Sequence, residues 1–418
     1  MERVNERKSY MQTTNLFQHQ QLFLSKRKNK DALIWSCGTG KTRAACEWSK
    51  QYPAEVLVIC PKSLKENWLR ELKKWGASGV AITKEQFKKM YMSKSLPIYK
   101  QVIVDEVHNG FLTPQFKSQM SKCLREYLKR NNIERVLLLT ATVYTSSPWN
   151  IFSLATLLGL NWSWSDFNFK YFVHVRMGGR LVPVPRKGVE KDMAFLVKRI
   201  ADVVDIHDCM DVPEQLHTDP EYFSLSPEQE KAIEDAYDPV HVKRITKQHE
   251  IENGVLIGDS EGLMPDQFFK TDKIDRLKTI VEENDKVAIV ARYNLQIDAI
   301  KDALSDCGKD VFIIRGEVKN RDEITLSAEK AEKAVVIIQA DCAEGYQLPS
   351  FETCVFASQS YSYAKFEQIC GRFLRMDRPT RTTFMYLISG ENSIDKAVYD
   401  CVQRKQDFQI HLYAKTLL

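Results

Sequence analysis

Residues 36–42 read Ser-Cys-Gly-Thr-Gly-Lys-Thr and follow an apolar run that is typical of a buried strand. Helix-compatible residues come next, so the segment has the strand–loop–helix order of a phosphate-binding loop. Glycines in such a loop let backbone N–H groups surround phosphates, and the lysine reaches the β- and γ-phosphates. The threonine hydroxyl, here that of Thr42, ligates Mg²⁺. The sequence therefore predicts a nucleotide-phosphate site formed by Cys37, Gly38, Thr39, Gly40, Lys41 and Thr42.

Two adjacent carboxylates, Asp105 and Glu106, follow the apolar residues 102–104. Ligands of open α/β sheets lie at the carboxyl ends of strands, where this pair is expected. The chemistry of phosphoryl transfer predicts that Asp105 holds Mg²⁺ and that Glu106 polarises the attacking water. His108, two residues further on, is predicted to relay the state of the nucleotide to a neighbouring segment.

A second group of candidate catalytic residues lies near the C-terminus, where residues 368–375 read Gln-Ile-Cys-Gly-Arg-Phe-Leu-Arg. Arg372 and Arg375 are suited to act as arginine fingers, because the phosphoryl transition state spreads negative charge over the γ-phosphate. Gln368 is predicted to belong to the same catalytic group. If these residues lie on a separate lobe, hydrolysis depends on closure of the two lobes, and chemistry is converted into motion.

The elements that must position these residues are short, β-branched apolar runs alternating with helix-like stretches. Such unbroken runs favour strands buried on both faces, as in a parallel sheet with right-handed crossovers. Residues 63–75 predict a connecting helix with Ser63 as its N-cap. Little strand signal occurs between residues 150 and 285, which predicts two α/β lobes joined by a helical insert. The predicted strands are 31–35, 56–59, 101–104, 136–139, 287–290, 311–314, 335–338, 354–357 and 384–388.

The composition is that of a multi-domain globular protein. The chain has 418 residues, with 60 Lys plus Arg against 55 Asp plus Glu, so the formal net charge is +5. This mild excess permits nucleic-acid binding but does not require it. The ten cysteines form no C-x-x-C pair, which argues against a zinc site and favours reduced thiols. Neither a signal peptide nor an apolar run long enough to span a membrane is evident, so a cytoplasmic location is expected.

The order of these motifs resembles that of superfamily 2 helicases and translocases, over nearly the whole chain. Its closest resemblance is to the Swi/Snf-like branch, through residues 60–71, 137–158, 225–229 and 272–277. The resemblance implies an α/β fold of two RecA-like parallel-sheet lobes in tandem with a helical insert. It implies lobe 1 over residues 1–210, an inter-lobe segment over 211–270, and lobe 2 over 271–418. ATP and Mg²⁺ are the implied cofactors.

The resemblance also implies roles for residues that local chemistry does not assign. Gln20, in the segment Leu16-x-x-His19-Gln20, is the implied adenine contact, and His108 and Gly345 are implied members of the nucleotide site. The family's glycine-rich fifth motif is altered here, because Glu344 directly precedes Gly345. The implied nucleic-acid contacts are Lys62, Ser63, Thr83, Lys84, Thr140, Thr142 and Arg292.

The implied activity is ATP hydrolysis coupled to movement along duplex DNA or to remodelling of forked, branched or replicating DNA. Two alternatives remain open: a strand-separating DNA helicase, and an ATP-switched DNA-binding loading factor without net movement. The compact size resembles bacteriophage or prophage members of the branch, which implies a bacterial cytoplasm and possible replication or recombination partners. The motifs favour a monomer but leave the oligomeric state open.

Overall fold

The computed structural model describes residues 15–113, 117–141, 148–177, 180–209, 215–236, 238–259, 264–318, 320–374, 381–404 and 408. Two predicted site residues, Thr142 and Arg375, lie outside the described residues. Within the described part of the chain, no helix is long and apolar enough to cross a membrane.

Helices and strands alternate through the first half of the chain, and a 3₁₀ turn (Lys62–Leu64) precedes the third helix. In chain order the elements are α1 (Gln18–Ser25), β1 (Lys30–Trp35), α2 (Lys41–Lys50), β2 (Val56–Cys60), α3 (Lys65–Lys74), β3 (Gly79–Thr83), α4 (Lys84–Met92), β4 (Gln101–Val104), α5 (Gln119–Arg130), β5 (Arg135–Thr140), α6 (Trp149–Leu157), α7 (Trp164–Tyr171), β6 (Phe172–Met177), β7 (Arg180–Pro185), α8 (Val189–Ile200), β8 (Asp202–Val204) and α9 (Ile206–Cys209).

The second half of the chain continues with short elements and then returns to regular alternation. In chain order the elements are β9 (Leu216–His217), β10 (Glu221–Phe223), α10 (Pro227–Asp235), α11 (His241–Glu252), β11 (Val255–Leu256), β12 (Gln267–Phe268), α12 (Asp272–Glu283), β13 (Lys286–Ala291), α13 (Asn294–Ala303), β14 (Asp310–Ile314), α14 (Arg321–Lys330), β15 (Ala334–Gln339), β16 (Thr353–Phe356), α15 (Tyr363–Cys370), β17 (Thr383–Ser389) and α16 (Ile394–Gln403).

Lobe 1 is built on a parallel sheet with the strand order β3-β2-β4-β5-β1-β8. Its central strands are buried on both faces, because successive side chains point to opposite sides of the sheet and helices cover both. On β5, for example, Val136 and Leu138 belong to one core layer, whereas Leu137 and Leu139 belong to the other. The unbroken apolar runs of the sequence are explained by this two-sided burial.

Lobe 2 is built on a second parallel sheet with the strand order β10-β17-β16-β13-β15-β14, and β9 pairs with β17. Ile289 of β13 belongs to one core layer of this lobe, and its neighbours Ala288 and Val290 belong to the other. The predicted α/β fold with two parallel-sheet lobes is confirmed.

The segment between the two sheets contains helices, as predicted, and also short strands that the sequence did not predict. β8 extends the first sheet, and β10, from the predicted linker, extends the second. β6 and β7 form an antiparallel hairpin with exposed apolar side chains at Val173, Val175 and Leu181. Of the aromatic residues before the hairpin, Phe167 and Tyr171 are buried in the lobe 1 core, whereas Phe169 is exposed. The domain boundaries remain predictions.

The predicted N-cap of the helix after β2 is wrong. The chain enters α3 through the 3₁₀ turn, and the residue preceding α3 is Leu64, which provides no side-chain cap. The Ser63 hydroxyl instead donates to Glu344 of lobe 2, with an Oγ–Oε2 distance of 2.9 Å. Ser63 therefore donates to a distant carboxylate and does not cap the helix that follows it.

A buried ion pair holds together the helices that surround the lobe 2 sheet. Lys273 of α12 donates from Nζ to Asp395 Oδ2 of α16 at 2.6 Å and to the Ala357 carbonyl at 3.1 Å. His249 of α11 faces the other carboxylate oxygen at 3.3 Å. Because Asp395 is buried, loss of its cation would leave an uncompensated charge in the interior.

We therefore expect Lys273→Met to lower the free energy of unfolding by about 3–5 kcal/mol. The matched control is Lys333→Met, because Lys333 pairs with Asp285 on the surface, where both side chains are more than half exposed. This control should cost less than about 1 kcal/mol. Chemical denaturation of both variants checks the prediction, and equal destabilisation would contradict it.

Candidate active site and nucleic-acid cleft

The phosphate-binding loop connects β1 to α2 and depends on two glycines. Gly38 and Gly40 have φ values of +85° and +80°, in the left-handed region that favours glycine. The Gln20 side chain of α1 donates from Nε2 to the Gly40 carbonyl at 3.1 Å. His19 Nε2 lies 2.8 Å from the Thr39 carbonyl oxygen. Thus α1 fixes the loop from one side, and Gln20 lies beside it; its contact with adenine remains a prediction.

Lys41 begins α2 and folds back over the loop. Its Nζ donates to the carbonyl oxygens of Trp35 at 2.6 Å and Ser36 at 3.1 Å. Gly40 is the N-cap residue of α2. Because glycine has no side chain, it cannot accept hydrogen bonds from the first N–H groups of the helix. An uncapped helix N-terminus beside a lysine is a favourable site for an anion.

Asp105 and Glu106 lie at the carboxyl end of β4, as predicted, and both side chains are buried. The Trp68 indole of α3 donates from Nε1 to Asp105 Oδ2 at 2.8 Å. Asp105 Oδ1 also accepts the Glu106 backbone N–H at 3.0 Å. Glu106 has a φ of +48°, which is strained for a residue with a Cβ. The turn after β4 therefore holds the second carboxylate in an unfavourable backbone conformation.

Burial dominates the electrostatics of these groups. Desolvation and the neighbouring Glu106 raise the pKa of Asp105 to about 7, although the Trp68 hydrogen bond and the Lys41 charge oppose the shift. Desolvation also raises the pKa of Glu106, against the attraction of Lys41. Desolvation lowers the pKa of His108 to about 4, so this imidazole is neutral at pH 7. Its Nδ1 lies 2.8 Å from Thr140 Oγ1 and 3.3 Å from Glu106 Oε2.

Lobe 2 approaches these groups through α15 and the residues that follow it. Gln368 Nε2 lies 3.4 Å from Glu106 Oε2, and its buried Oε1 has no hydrogen-bond partner among the described residues. Arg372 donates from Nε to the Ala343 carbonyl at 2.7 Å, and its charge opposes the desolvation that raises the pKa of Glu106. Gly371 adjoins the phosphate-binding loop, because a Cβ at this position would lie 2.7 Å from the Cβ of Cys37.

The donor set fits a nucleotide bound with Mg²⁺. Residues 36–42 offer a lysine and a helix N-terminus to phosphates, and the Thr42 hydroxyl and the Asp105 carboxylate are oxygen ligands of the kind that Mg²⁺ prefers. Desolvation raises the pKa values of both carboxyl groups, and a bound divalent cation would oppose this shift. Gln368 adds a buried polar atom directed to the same place.

A cleft of about 920 Å³ lies between the lobes and contains four of the predicted nucleic-acid contacts. These four residues are Lys62, Ser63, Thr83 and Lys84. The cations that line the cleft among the described residues are Lys62, Lys65, Lys84, Arg321 and Lys365. The carboxylates that line it are Glu66, Glu85, Glu317, Asp322, Asp341 and Glu344. Cations and carboxylates are therefore nearly balanced in this cleft.

The other predicted contacts have different surroundings. Thr140 is buried beside His108, and Thr83 caps α4 by accepting the Gln86 N–H at 3.1 Å. Arg292 lies next to the cleft, where its guanidinium covers the Tyr361 ring at 3.7 Å and faces Asp341 at 3.6 Å. Gly345 lines the cleft, and a Cβ there would meet Ser63 and Arg321 rather than the phosphate-binding loop.

Two residues of the site were not predicted from the sequence. Trp68 fits the apolar face of α3, so its periodicity gave no sign that the indole N–H serves Asp105. In the sequence, Glu344 stands out only as a departure from a glycine-rich motif, but in the structure it joins both lobes through Ser63 and Lys365. Knowledge of the three-dimensional arrangement was needed in both cases, because the partners are 37 and 281 residues apart.

Comparisons with known proteins point to the same class of fold. No family model matches this chain. A stretch of 147 residues is 26% identical to the SWI/SNF-related matrix-associated actin-dependent regulator of chromatin subfamily A-like protein 1 of Drosophila melanogaster. The match covers 34% of this chain and 19% of that protein, so the chain spans about a fifth of the relative's length.

The described structure is similar to the crystal structure of the Pyrococcus furiosus Hef helicase domain. The TM-score is 0.51 at 14% sequence identity, and the match covers 91% of this chain and 97% of that chain. This similarity shows the fold, which is a pair of RecA-like lobes.

The Trp68–Asp105 hydrogen bond generates a prediction, given that Asp105 is expected to hold Mg²⁺. Trp68→Phe removes the donor, so the pKa of Asp105 should rise further and its affinity for Mg²⁺ should fall. We expect the Mg²⁺ concentration for half-maximal ATP hydrolysis to increase about tenfold near neutral pH. The increase should shrink as the pH rises above 8, where Asp105 is ionised in both proteins.

Trp75→Phe is the matched control for this measurement. Trp75 follows the same helix and donates from Nε1 to Glu71 at 2.6 Å, away from the carboxylate pair. Its Mg²⁺ dependence should stay within about twofold of wild type. If the Mg²⁺ concentration for half-maximal ATP hydrolysis rose equally in both variants, the tryptophans of this region would be needed only for packing.

The close approach of Gly371 and Cys37 generates a second prediction. Gly371 has a helical φ of −65°, which any residue can adopt. A glycine is therefore required here because a side chain would collide with Cys37, and not because of the backbone conformation. We expect Gly371→Ala to reduce ATP hydrolysis at least tenfold, because the added methyl group separates Arg372 from the loop. Combining it with Cys37→Gly removes the opposing Cβ and should restore part of the rate. A double variant no faster than Gly371→Ala would contradict this steric explanation.

Proposed function

We propose that this protein is a DNA-dependent ATPase that moves along duplex DNA or remodels branched or replicating DNA. The proposal rests chiefly on the contact between Gln368 of lobe 2 and Glu106 of lobe 1, at 3.4 Å. Because Glu106 is the group proposed to orient the attacking water, this contact links hydrolysis to the relative position of the lobes. The similarities to a SWI/SNF-related protein and to a helicase domain support a superfamily 2 helicase or translocase.

In this proposal, each half of the nucleotide site has a distinct task. Lys41 leaves the loop carbonyls and binds the β- and γ-phosphates, while Thr42 and Asp105 hold Mg²⁺. The metal ion supplies charge neutralisation of the phosphates. Glu106 orients the attacking water. Arg372 and, by sequence, Arg375 stabilise negative charge in the transition state when the lobes are closed.

The cleft between the lobes is the proposed track for nucleic acid. Lys62, Ser63 and Lys84 on lobe 1 and Gly345 on lobe 2 lie on its walls. Hydroxyl, ammonium and backbone N–H donors bind phosphates without reading the bases. We therefore expect weak sequence preference and binding that weakens steeply with salt.

One structural feature favours strand separation as a second candidate function. The β6–β7 hairpin carries exposed apolar side chains and includes the basic residue Arg176. A hairpin of this kind is suited to enter between two strands of a fork. Displacement of a labelled strand from forked DNA, compared with movement on intact duplex, distinguishes the helicase from the translocase.

The proposed role of Glu106 is tested by Glu106→Gln, which keeps the size of the side chain and removes its charge. We expect ATP hydrolysis to fall at least a hundredfold, because the amide cannot accept a proton from water. Binding of ATP and of DNA should remain, as measured with a fluorescent nucleotide and a labelled duplex. A variant that keeps full DNA-stimulated turnover would remove Glu106 from this role.

The proposed function as a whole is tested by ATP hydrolysis with single-stranded DNA, forked DNA, RNA and duplexes of increasing length. Lys41→Ala provides the inactive control. A translocase should be stimulated by duplex, with a rate that climbs with length before it levels off. Equal stimulation by short and long duplex would exclude translocation and favour the loading-factor alternative.

A further inference from the structure

Glu344 occupies a position between the two lobes where an anion is held by donors from both. Its Oε2 accepts the Ser63 hydroxyl of lobe 1 at 2.9 Å, and its Oε1 faces Lys365 Nζ of lobe 2 at 3.4 Å. Its main-chain carbonyl accepts Arg321 Nη1 at 2.9 Å. A hydroxyl and an ammonium group that converge on an oxyanion are also the donors that bind a phosphodiester.

The Glu344 carboxylate is ionised in this arrangement. Burial alone would raise its pKa, but Lys365, Ser63 and Arg372 together lower it below the usual range for glutamate. An ionised carboxylate and a phosphodiester cannot share the same donors, since like charges at this separation repel. A phosphate that binds Ser63 and Lys365 must therefore displace Glu344.

The same residue is connected to the ATP site along two routes. Lys365 and Gln368 lie three residues apart on α15, on one face of the helix, and Gln368 contacts Glu106. Ala343, which precedes Glu344, holds Arg372 Nε through its carbonyl at 2.7 Å. Displacement of Glu344 therefore affects the segment from Lys365 to Arg372. This segment carries Gln368 and Arg372, the two lobe 2 residues that contribute to the catalytic site.

We propose that Glu344 is an internal phosphate mimic, which occupies a nucleic-acid phosphate site between Ser63 and Lys365 and restrains the ATP site until a phosphodiester replaces it. This inference rests on the proposed function and deepens it by naming the residue that couples nucleic-acid binding in the cleft to ATP hydrolysis. Glu344 is a positioning residue here, because it acts through Lys365 and Arg372 and not on the reacting atoms.

Glu344→Gln tests the proposal, because the amide can still accept the Ser63 hydroxyl but loses the charge that holds Lys365. ATP hydrolysis without nucleic acid should rise about tenfold, so that stimulation by duplex DNA becomes smaller. A 30-base-pair duplex should bind more tightly. The plot of log affinity against log salt should steepen by about 0.9, the value for one more lysine free to neutralise a phosphate. Adding Lys365→Gln to this variant should return the slope to its wild-type value.

Glu282→Gln is the control for net charge, because Glu282 is exposed on α12 and does not line the cleft. It should leave the basal rate and the salt slope unchanged. Ser63→Ala releases Glu344 from the other lobe, and should raise the basal rate while weakening duplex binding. This opposite effect on binding keeps the proposal testable if the glutamine variant does not fold.

The outcomes separate this inference from the proposed function. If wild type neither binds duplex nor is stimulated by it, the proposed function fails and the phosphate mimic fails with it. If wild type is stimulated but Glu344→Gln has a wild-type basal rate and salt slope, only the phosphate mimic is overturned. A folded Glu344→Gln protein with lower basal and stimulated rates would likewise overturn it.

Discussion

The burial of Asp105 and Glu106 at the end of β4 is the constraint on which the arrangement of both lobes depends. Two adjacent carboxylates lose the hydration that would stabilise their charges, so opposite charges and hydrogen-bond donors must replace it. Lobe 1 supplies the charge of Lys41 and the indole N–H of Trp68. Lobe 2 supplies three further side chains, which are Lys365, Gln368 and Arg372. The electrostatic environment of Glu106 is therefore complete only when the lobes are together.

Separate hydrophobic cores allow the lobes to move without loss of their own packing. The two core layers of lobe 1 contain residues between Phe23 and Ala201, and those of lobe 2 contain residues between Ile245 and Phe408. The contacts described between the lobes are of another kind, because they are polar or depend on the absence of a side chain, as at Gly371. Polar contacts of this kind exchange readily with water and with charged ligands, which suits an interface that opens and closes.

The sequence was sufficient for the features that are encoded locally. Buried parallel strands require unbroken apolar runs, and all nine predicted runs coincide with strands of the two sheets. The half-buried edge strand β3 and the three-residue strand β8 escaped prediction, because neither has such a run. Ser63, Trp68 and Glu344 illustrate the remaining limit. Each has a side chain that suits a local role, and its actual partner lies in a distant part of the chain that only the fold brings near.

The near balance of charge in the cleft bears on how binding and hydrolysis are coupled. A strongly basic cleft would attract a polyanion whatever the position of the lobes, so that binding alone would favour no particular conformation. Here the carboxylates of the cleft, Glu344 among them, already engage some of the available donors. Nucleic acid must then replace internal anions, and the free energy of binding depends on the rearrangement that frees the cations. A ligand that binds one arrangement more tightly than another shifts the equilibrium between them, and by linkage the nucleotide must alter affinity for nucleic acid in return.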